Sequence, residues 1–278
     1  MQNAAKHQKR VESGQILPIF TARMQIDRVN VLGVGVSAIN MELAKSAFVY
    51  AVKNQRKGYV CVTGVHGIME SQDDPKIRVI HNRAFLVTPD GMPMTWMGRL
   101  QGFSQMNRVY GPDLMLEIME ISRASGFRHF FYGGANGVAR ELKNKMEARF
   151  PGIEIVGTYE PPFRPLSAEE EIDLERLVTE TRPDIFWVGL STPKQEKFMA
   201  QYLPKLDVTL MVGVGAAFDF HSGRIVQAPR WMQRSGLEWF FRLCVEPKRL
   251  WRRYFKNNPR FVFQAACQLL RIKKFALE

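Results

Sequence analysis

Asp90 stands in Thr88-Pro89-Asp90-Gly91-Met92-Pro93, directly after the apolar run 84–89. A carboxylate at the C-terminal end of a strand, beside a flexible Gly, is placed to take a proton from a hydroxyl. An Asp before Gly is also what a simple turn requires. Thr63 and His66 follow the preceding apolar run and would face the same crevice. His66 there is a proton carrier, a hydrogen-bond donor or merely a helix-start residue. Asp113, in Tyr110-Gly111-Pro112-Asp113-Leu114, suits either the capping of a helix or ligand contact. Ser191-Thr192-Pro193-Lys194-Gln195-Glu196 puts Lys194 and Gln195 in the first turn of a helix opened by Pro193. The helix dipole does not favour a Lys there, which argues for a functional reason.

Arg242, Arg249 and Arg252 are spaced by seven and three, close to one helical face, although Pro247 intervenes. Guanidinium forks suit a diphosphate. The plainer reading is a basic face in solvent or against anionic lipid. Arg242 to Lys274 carries ten Lys and Arg against one acid, Glu246. Trp239, Phe240, Trp251, Tyr254, Phe255, Phe261 and Phe263 lie in and beside this tract, as in a membrane-surface helix. Aromatics among basic residues also bind single-stranded nucleic acid, but no RNP, KH or zinc motif accompanies them, so no nucleic acid partner is expected.

Three glycine turns remain. Gly33-Val34-Gly35-Val36-Ser37-Ala38 satisfies G-x-G-x-x-A, the fingerprint of an NAD(P)-dependent oxidoreductase. The next strand ends in Thr63-Gly64-Val65-His66, with no acid for a ribose hydroxyl, so the match reads as a decoy. Gly133-Gly134-Ala135-Asn136-Gly137 and Gly213-Val214-Gly215 allow close approach to a ligand or serve turn geometry alone. Neither is a P-loop.

The elements that must position these residues follow from patterning. Apolar runs at 29–36, 59–65, 84–89, 129–134, 153–159, 185–190 and 208–215 predict strands, several ending in Gly. Helices are predicted at about 40–55, 112–125, 137–149, 168–181 and 194–202. Near-continuous apolar strands alternating with helices indicate an α/β fold: a Rossmann-like, mostly parallel sheet with flanking helices. Ligands of such sheets sit beyond the C-terminal strand ends. The expected organisation is a flexible leader at 1–25, the Rossmann-like domain at 26–225 and a basic helical appendage at 226–278. Pro247 and Pro259 are expected to break the appendage into two or three helices.

The 278 residues carry a net charge of +12, which points to an anionic partner. The three cysteines are too scattered for a disulfide framework or a metal knuckle. No signal-peptide core and no uninterrupted spanning run is seen, so a soluble or peripheral protein is expected. The oligomeric state is left open, a homo-oligomer included.

Taken in order, these segments resemble the WecG/TagA/CpsF family of glycosyltransferases over roughly residues 28–256. The carrying residues are Thr63, Pro89-Asp90-Gly91-Met92, Arg108 with Gly111-Pro112-Asp113-Leu114, Gly133-Gly134, Gly189 to Glu196 and Gly213 to Asp219. Leu237-Glu238-Trp239, Arg242-Leu243, Glu246-Pro247, Arg249-Leu250 and Arg252-Arg253-Tyr254 complete the set. The resemblance implies an inverting transferase that uses a UDP-sugar and an undecaprenyl-pyrophosphate-linked acceptor, in exopolysaccharide, teichoic-acid-linkage or surface-antigen synthesis. By similarity, Asp90 is the base, and Thr63 and Gln195 line its site. His66, Arg108, Asp113, Gly133, Gly134, Lys194, Glu196, Gly213 and Asp219 belong to the substrate-binding segments. Arg242, Arg249 and Arg252 close over the diphosphate near an anionic membrane, on the inner face of the cytoplasmic membrane. No Asp-x-Asp pair is present, and neither a metal nor a cofactor beyond the donor is expected. Val65 stands where the family often has Asn, and Gln227-Ala228-Pro229 where many members have Arg-Ala-Pro. The donor therefore stays open between N-acetylmannosamine and a glucose-type sugar. The rival readings are the oxidoreductase and a non-enzymatic membrane- or nucleic-acid-binding module.

Overall fold

The run 29–36, expected as one strand, folds back on itself. β1 (Arg28–Val31) and β2 (Val34–Ser37) form an antiparallel hairpin. Leu32 and Gly33 turn it with φ of +52° and +82°. Positive φ at both central positions matches the twist of the flanking strands, and Gly33 meets it without strain. Asn30 Oδ1 accepts from the Gly33 N–H at 2.8 Å and fixes the turn. The G-x-G-x-x-A pattern thus spans a hairpin turn and its second strand, not a strand-to-helix junction. The apolar run misled because Val31, Leu32 and Val34 are all buried, so no polar interval marks the turn.

The computed structural model describes residues 24–277, so the expected leader lies, but for Met24 and Gln25, outside the described residues. α1 (Met41–Lys53) leads to the main sheet: β3 (Gly58–Thr63), β4 (Leu86–Pro89), β5 (Arg128–Gly133), β6 (Glu154–Tyr159), β7 (Ile185–Gly189) and β8 (Leu210–Gly213). All pairings among these strands are parallel, in the order β4-β3-β8-β7-β5-β6. Alternate side chains enter opposite cores, as the period of two requires. Val60, Leu86, Phe131, Trp187 and Val212 face one, Cys61, Val87, Phe130, Phe186 and Met211 the other.

Between β3 and β4 lie α2 (Val65–Asp73) and α3 (Pro75–Arg83), and α4 (Met92–Leu100) follows β4. None of these three helices was expected from the sequence. Each has only nine residues, and Asp74-Pro75 divides the first two. The remaining connections are α5 (Gly111–Ser125), α6 (Val138–Arg149), α7 (Ala168–Thr181), α8 (Lys194–Tyr202) and the short α9 (Ala217–His221).

The appendage forms α10 (Arg230–Arg234), α11 (Glu238–Val245) and α12 (Pro247–Leu269). Pro247 starts α12 as expected, but Pro259 does not end it: the helix runs on through that residue. A proline in a helix interior forfeits a hydrogen bond and costs about 3 kcal/mol. Pro259 and Phe255, whose carbonyl is left unpaired, both sit on the exposed side, where solvent can satisfy it. Leu250, Asn257, Phe261 and Ala265 bury the opposite face on both sides of the proline. Asp73 of α2 accepts from Lys256 at 2.9 Å and Arg260 at 2.6 Å. Gln268 accepts from the Leu32 N–H at 2.9 Å and donates to Asn30 O at 2.8 Å. The tail after α12 continues onto the hairpin, where Asn30 Nδ2 donates to Phe275 O at 2.6 Å. The appendage is thereby laid across the C-terminal end of the sheet.

Candidate active site

The parallel order brings the ends of β3, β4, β7 and β8 to one rim, and the chain moves in opposite directions from β3 to β4 and from β4 to β5. Such a switch point is where α/β sheets bind ligands. A cavity of about 860 Å³ opens there, floored by Gly64, Asp90, Gly189 and Val214 and roofed by α11 and α12.

Asp90 lies at its floor. One carboxylate oxygen accepts from the Gly111 N–H at 3.0 Å, at the start of α5, where the helix dipole favours negative charge. Burial nevertheless pushes its pKa above the ordinary carboxylate value; Glu238 adds to the rise and Arg108 opposes it. The second oxygen meets no donor among the described residues; Gly64 lies beside it, where a β-carbon would stand 3.8 Å from Oδ2. Arg108 donates to the Asp90 peptide oxygen and to the Glu238 carboxylate, with its guanidinium 4.0 Å from the Tyr110 ring centre. Tyr110 donates to Glu238 at 2.8 Å. Neither Tyr110 nor Glu238 received a role from the sequence.

Thr63 does not line the cavity. It is buried beneath, its hydroxyl 3.0 Å from His81 Nε2, while His81 Nδ1 lies 3.0 Å from Ile77 O. A carbonyl can only accept, so Nδ1 carries the His81 proton and Thr63 donates to Nε2. His66 lies on the wall, its Nε2 3.3 Å from Thr192 O and its Nδ1 3.1 Å from Asn257 Nδ2. The same logic puts its proton on Nε2. Burial and the nearby Arg253 lower its pKa to about 4, so it is neutral at pH 7.

Gln195 and Glu196 are both buried at the start of α8. Glu196 Oε1 accepts from Gln195 Nε2 at 3.1 Å and from the Thr192 hydroxyl at 3.0 Å. This holds the Gln195 amide with its nitrogen inward. Its buried oxygen has no partner among the described residues, and Gln195 is one of the residues that line the cavity. Gly213 does not line the cavity but makes room for this amide: a β-carbon there would stand 3.0 Å from the Gln195 side chain.

The cations sit in the roof. Arg249 forks onto Glu246 at 2.7 and 2.5 Å, and Arg242 approaches the same carboxylate at 3.7 Å. Arg253 also lines the cavity, and it has no hydrogen-bond or ion-pair partner among the described residues. Burial and the neighbouring Arg249 and Arg242 lower its pKa, against the pull of Tyr254 and Glu70. Arg252 points elsewhere, 5.3 Å from the Trp251 ring centre. Arg253 was visible in the sequence as the residue four after Arg249, one helical turn on. Asp219 faces the same space with its pKa raised by burial, against the pull of Arg249.

Other candidates stand apart. A β-carbon at Gly133 would meet Gly189 O at 2.6 Å, and one at Gly134 would meet Val138 at 2.6 Å, so both serve a tight turn. The start of the following helix α6 is taken by Glu160, which accepts from the Gly137 and Ala139 N–H groups at 2.8 and 3.1 Å. Asp113 makes no side-chain cap and pairs with Arg230 at 2.6 Å, and Lys194 is exposed outside the cavity.

The sequence model of the WecG/TagA/CpsF glycosyl transferase family matches residues 29–275. The chain belongs to this family. Similar proteins include an N-acetylglucosaminyldiphosphoundecaprenol N-acetyl-beta-D-mannosaminyltransferase of Bacillus spizizenii, 31% identical over 210 residues, 75% of this chain and 79% of that protein. The protein of the same name from Bacillus subtilis strain 168 is 31% identical over 167 residues, 60% of this chain and 63% of that protein. This WecG/TagA/CpsF member is thus a glycosyltransferase, with its cavity at the switch point of an α/β sheet. Among the described residues no helix is long and apolar enough to cross a membrane.

Proposed function

We propose that this glycosyltransferase moves a sugar from a UDP-sugar to a hydroxyl of a saccharide carried on undecaprenyl diphosphate, with inversion at the anomeric carbon. The observation that carries the reading is one cavity lined by Asp90, a carboxylate with one oxygen unpartnered among the described residues, below a roof of Arg242, Arg249 and Arg253. Asp90 takes the acceptor proton as the acceptor oxygen bonds to the anomeric carbon. The bond from that carbon to the UDP oxygen breaks on the opposite side, and the negative charge on the leaving diphosphate falls under the arginines. Arginine charge takes the part a metal plays in other transferases. The names of the two relatives favour an N-acetylhexosamine donor and an N-acetylglucosaminyl acceptor. The unpartnered Gln195 oxygen suits a donor sugar bearing an N–H or O–H at that point.

The exposed aromatic residues of the appendage, Trp239, Phe240, Trp251, Phe255 and Phe263, stand among Arg and Lys and suit an anionic membrane surface. On this reading the protein works peripherally on the cytoplasmic face, where UDP-sugars are available.

Thermal melts with UDP, a UDP-sugar panel and NAD(P)H test the reading, because a ligand of the native state raises the Tm by mass action. UDP is expected to stabilise the wild type and not the Arg242/Arg249/Arg253 triple alanine variant. Stabilisation by NAD(P)H without UDP would overturn it.

A further inference from the structure

The cavity has a second arm that the transfer chemistry does not use. Beyond Arg253 and Asn257 the lining becomes apolar: Met92, Trp96 and Leu100 on α4, and Phe261, Val262, Ala266 and Leu269 on α12. Val262, Ala266 and Leu269 recur at spacings of four and three, so they form one stripe on α12, with the buried Phe261 beside it. From Asn257 to Leu269 the lining runs about 18 Å at 1.5 Å per residue. The two helices converge at the far end, where Asn30 O accepts from Gln101 Nε2 at 3.0 Å and from Gln268 Nε2 at 2.8 Å. Between these ends the groove is open: Leu100 is 69% and Val262 66% exposed. Apolar side chains this exposed in a continuous lining indicate a ligand surface rather than a core.

We propose that this groove holds the first isoprenoid units of the polyprenyl diphosphate acceptor. The inference rests on the transferase reading and names the part of the acceptor that reading leaves unplaced. Three observations favour this occupant. The groove is continuous with the cavity that holds Asp90. Its inner end opens at Arg253 and Asn257, so a tail lying in it leads back to the space over Asp90 where the acceptor hydroxyl must stand. Its outer flank carries Phe255, Phe263, Leu270 and Ile272, all exposed, so a chain leaving the groove meets the face suited to lipid.

Calorimetric titration of farnesyl diphosphate and isopentenyl diphosphate tests it, since the two share a headgroup and differ in tail length. The wild type is expected to bind farnesyl diphosphate at least tenfold more tightly, which needs burial of only about two further methylenes. Ala266→Trp fills the groove from an exposed position and should leave the fold intact. It is expected to bring the two affinities within about twofold while isopentenyl diphosphate binds as before. Equal affinities in the wild type, as a groove covered by a second copy of the chain would give, overturn the inference. So does a preference for farnesyl diphosphate that survives in Ala266→Trp. UDP titrated in parallel reports on the transferase reading separately.

Discussion

The Arg108 guanidinium joins the peptide oxygen of Asp90 to the carboxylate of Glu238, and so ties the end of β4 to the first residue of α11. Both side chains are mostly buried, at 14% and 15% exposure. The floor of the site and its roof are therefore coupled through one ion pair. Truncation of either partner strands a charge, so the two losses should not add. In a double-mutant cycle of Arg108→Ala and Glu238→Ala, each single variant is expected to lose stability, with a coupling of about 1–3 kcal/mol. Additive losses in denaturant titrations would remove the coupling.

Asp90 carries a stability cost. Its folded pKa is raised by burial, so the folded state binds its proton more tightly than the unfolded chain does. That makes the native state less stable as pH rises above the ordinary carboxylate value. Asp90→Asn keeps an acceptor for the Gly111 N–H and removes the cost. Its Tm should match or exceed that of the wild type at pH 7, with the difference shrinking toward pH 4. A Tm well below the wild type at pH 7 would contradict this account of the site.

His66 works in the opposite direction. Its folded pKa of about 4 lies below the ordinary 6.5, so the unfolded chain takes up the proton first as pH falls. Stability from this residue is present above 6.5 and lost between 6.5 and about 4, on the order of 3 kcal/mol at most. His66→Gln should flatten the pH dependence of the Tm in that window. An unchanged slope would show that His66 titrates normally.

The cavity separates two adjacent arginines. Arg253→Ala is expected to weaken UDP about tenfold or more and uridine by less than about twofold, as loss of a charged hydrogen bond to phosphate would. Arg252→Ala, outside the cavity, should change UDP affinity far less. Calorimetry that gives the reverse order would place Arg252, not Arg253, on the diphosphate.

Much of this arrangement was legible in the sequence because a buried parallel sheet writes itself as separate apolar runs. Those ending at Thr63, Pro89, Gly189 and Gly213 deliver the rim of the site, and Asp90 stood out by its place after one of them. The hairpin at Leu32-Gly33 was not legible, since Leu32 at its turn is as buried as Val31 and Val34 beside it. Pro259 misled because its cost depends on which way the unpaired carbonyl faces, a tertiary fact. Choosing Arg253 over Arg252 needed the helix phase, which Pro247 resets. The Glu196 hold on Gln195 and the Glu238 clamp on Arg108 join residues whose partners only the fold selects.

The most direct test of the central claim is sugar transfer by purified Asp90→Asn. Wild type and variant would be assayed with UDP-N-acetylmannosamine and UDP-glucose on an N-acetylglucosaminyl-diphospho-lipid acceptor. The account predicts transfer by the wild type and a loss of about 10²–10⁴ in kcat for Asp90→Asn, with UDP affinity kept within about twofold. A variant that transfers at near wild-type rate would contradict the assignment of Asp90 as the base.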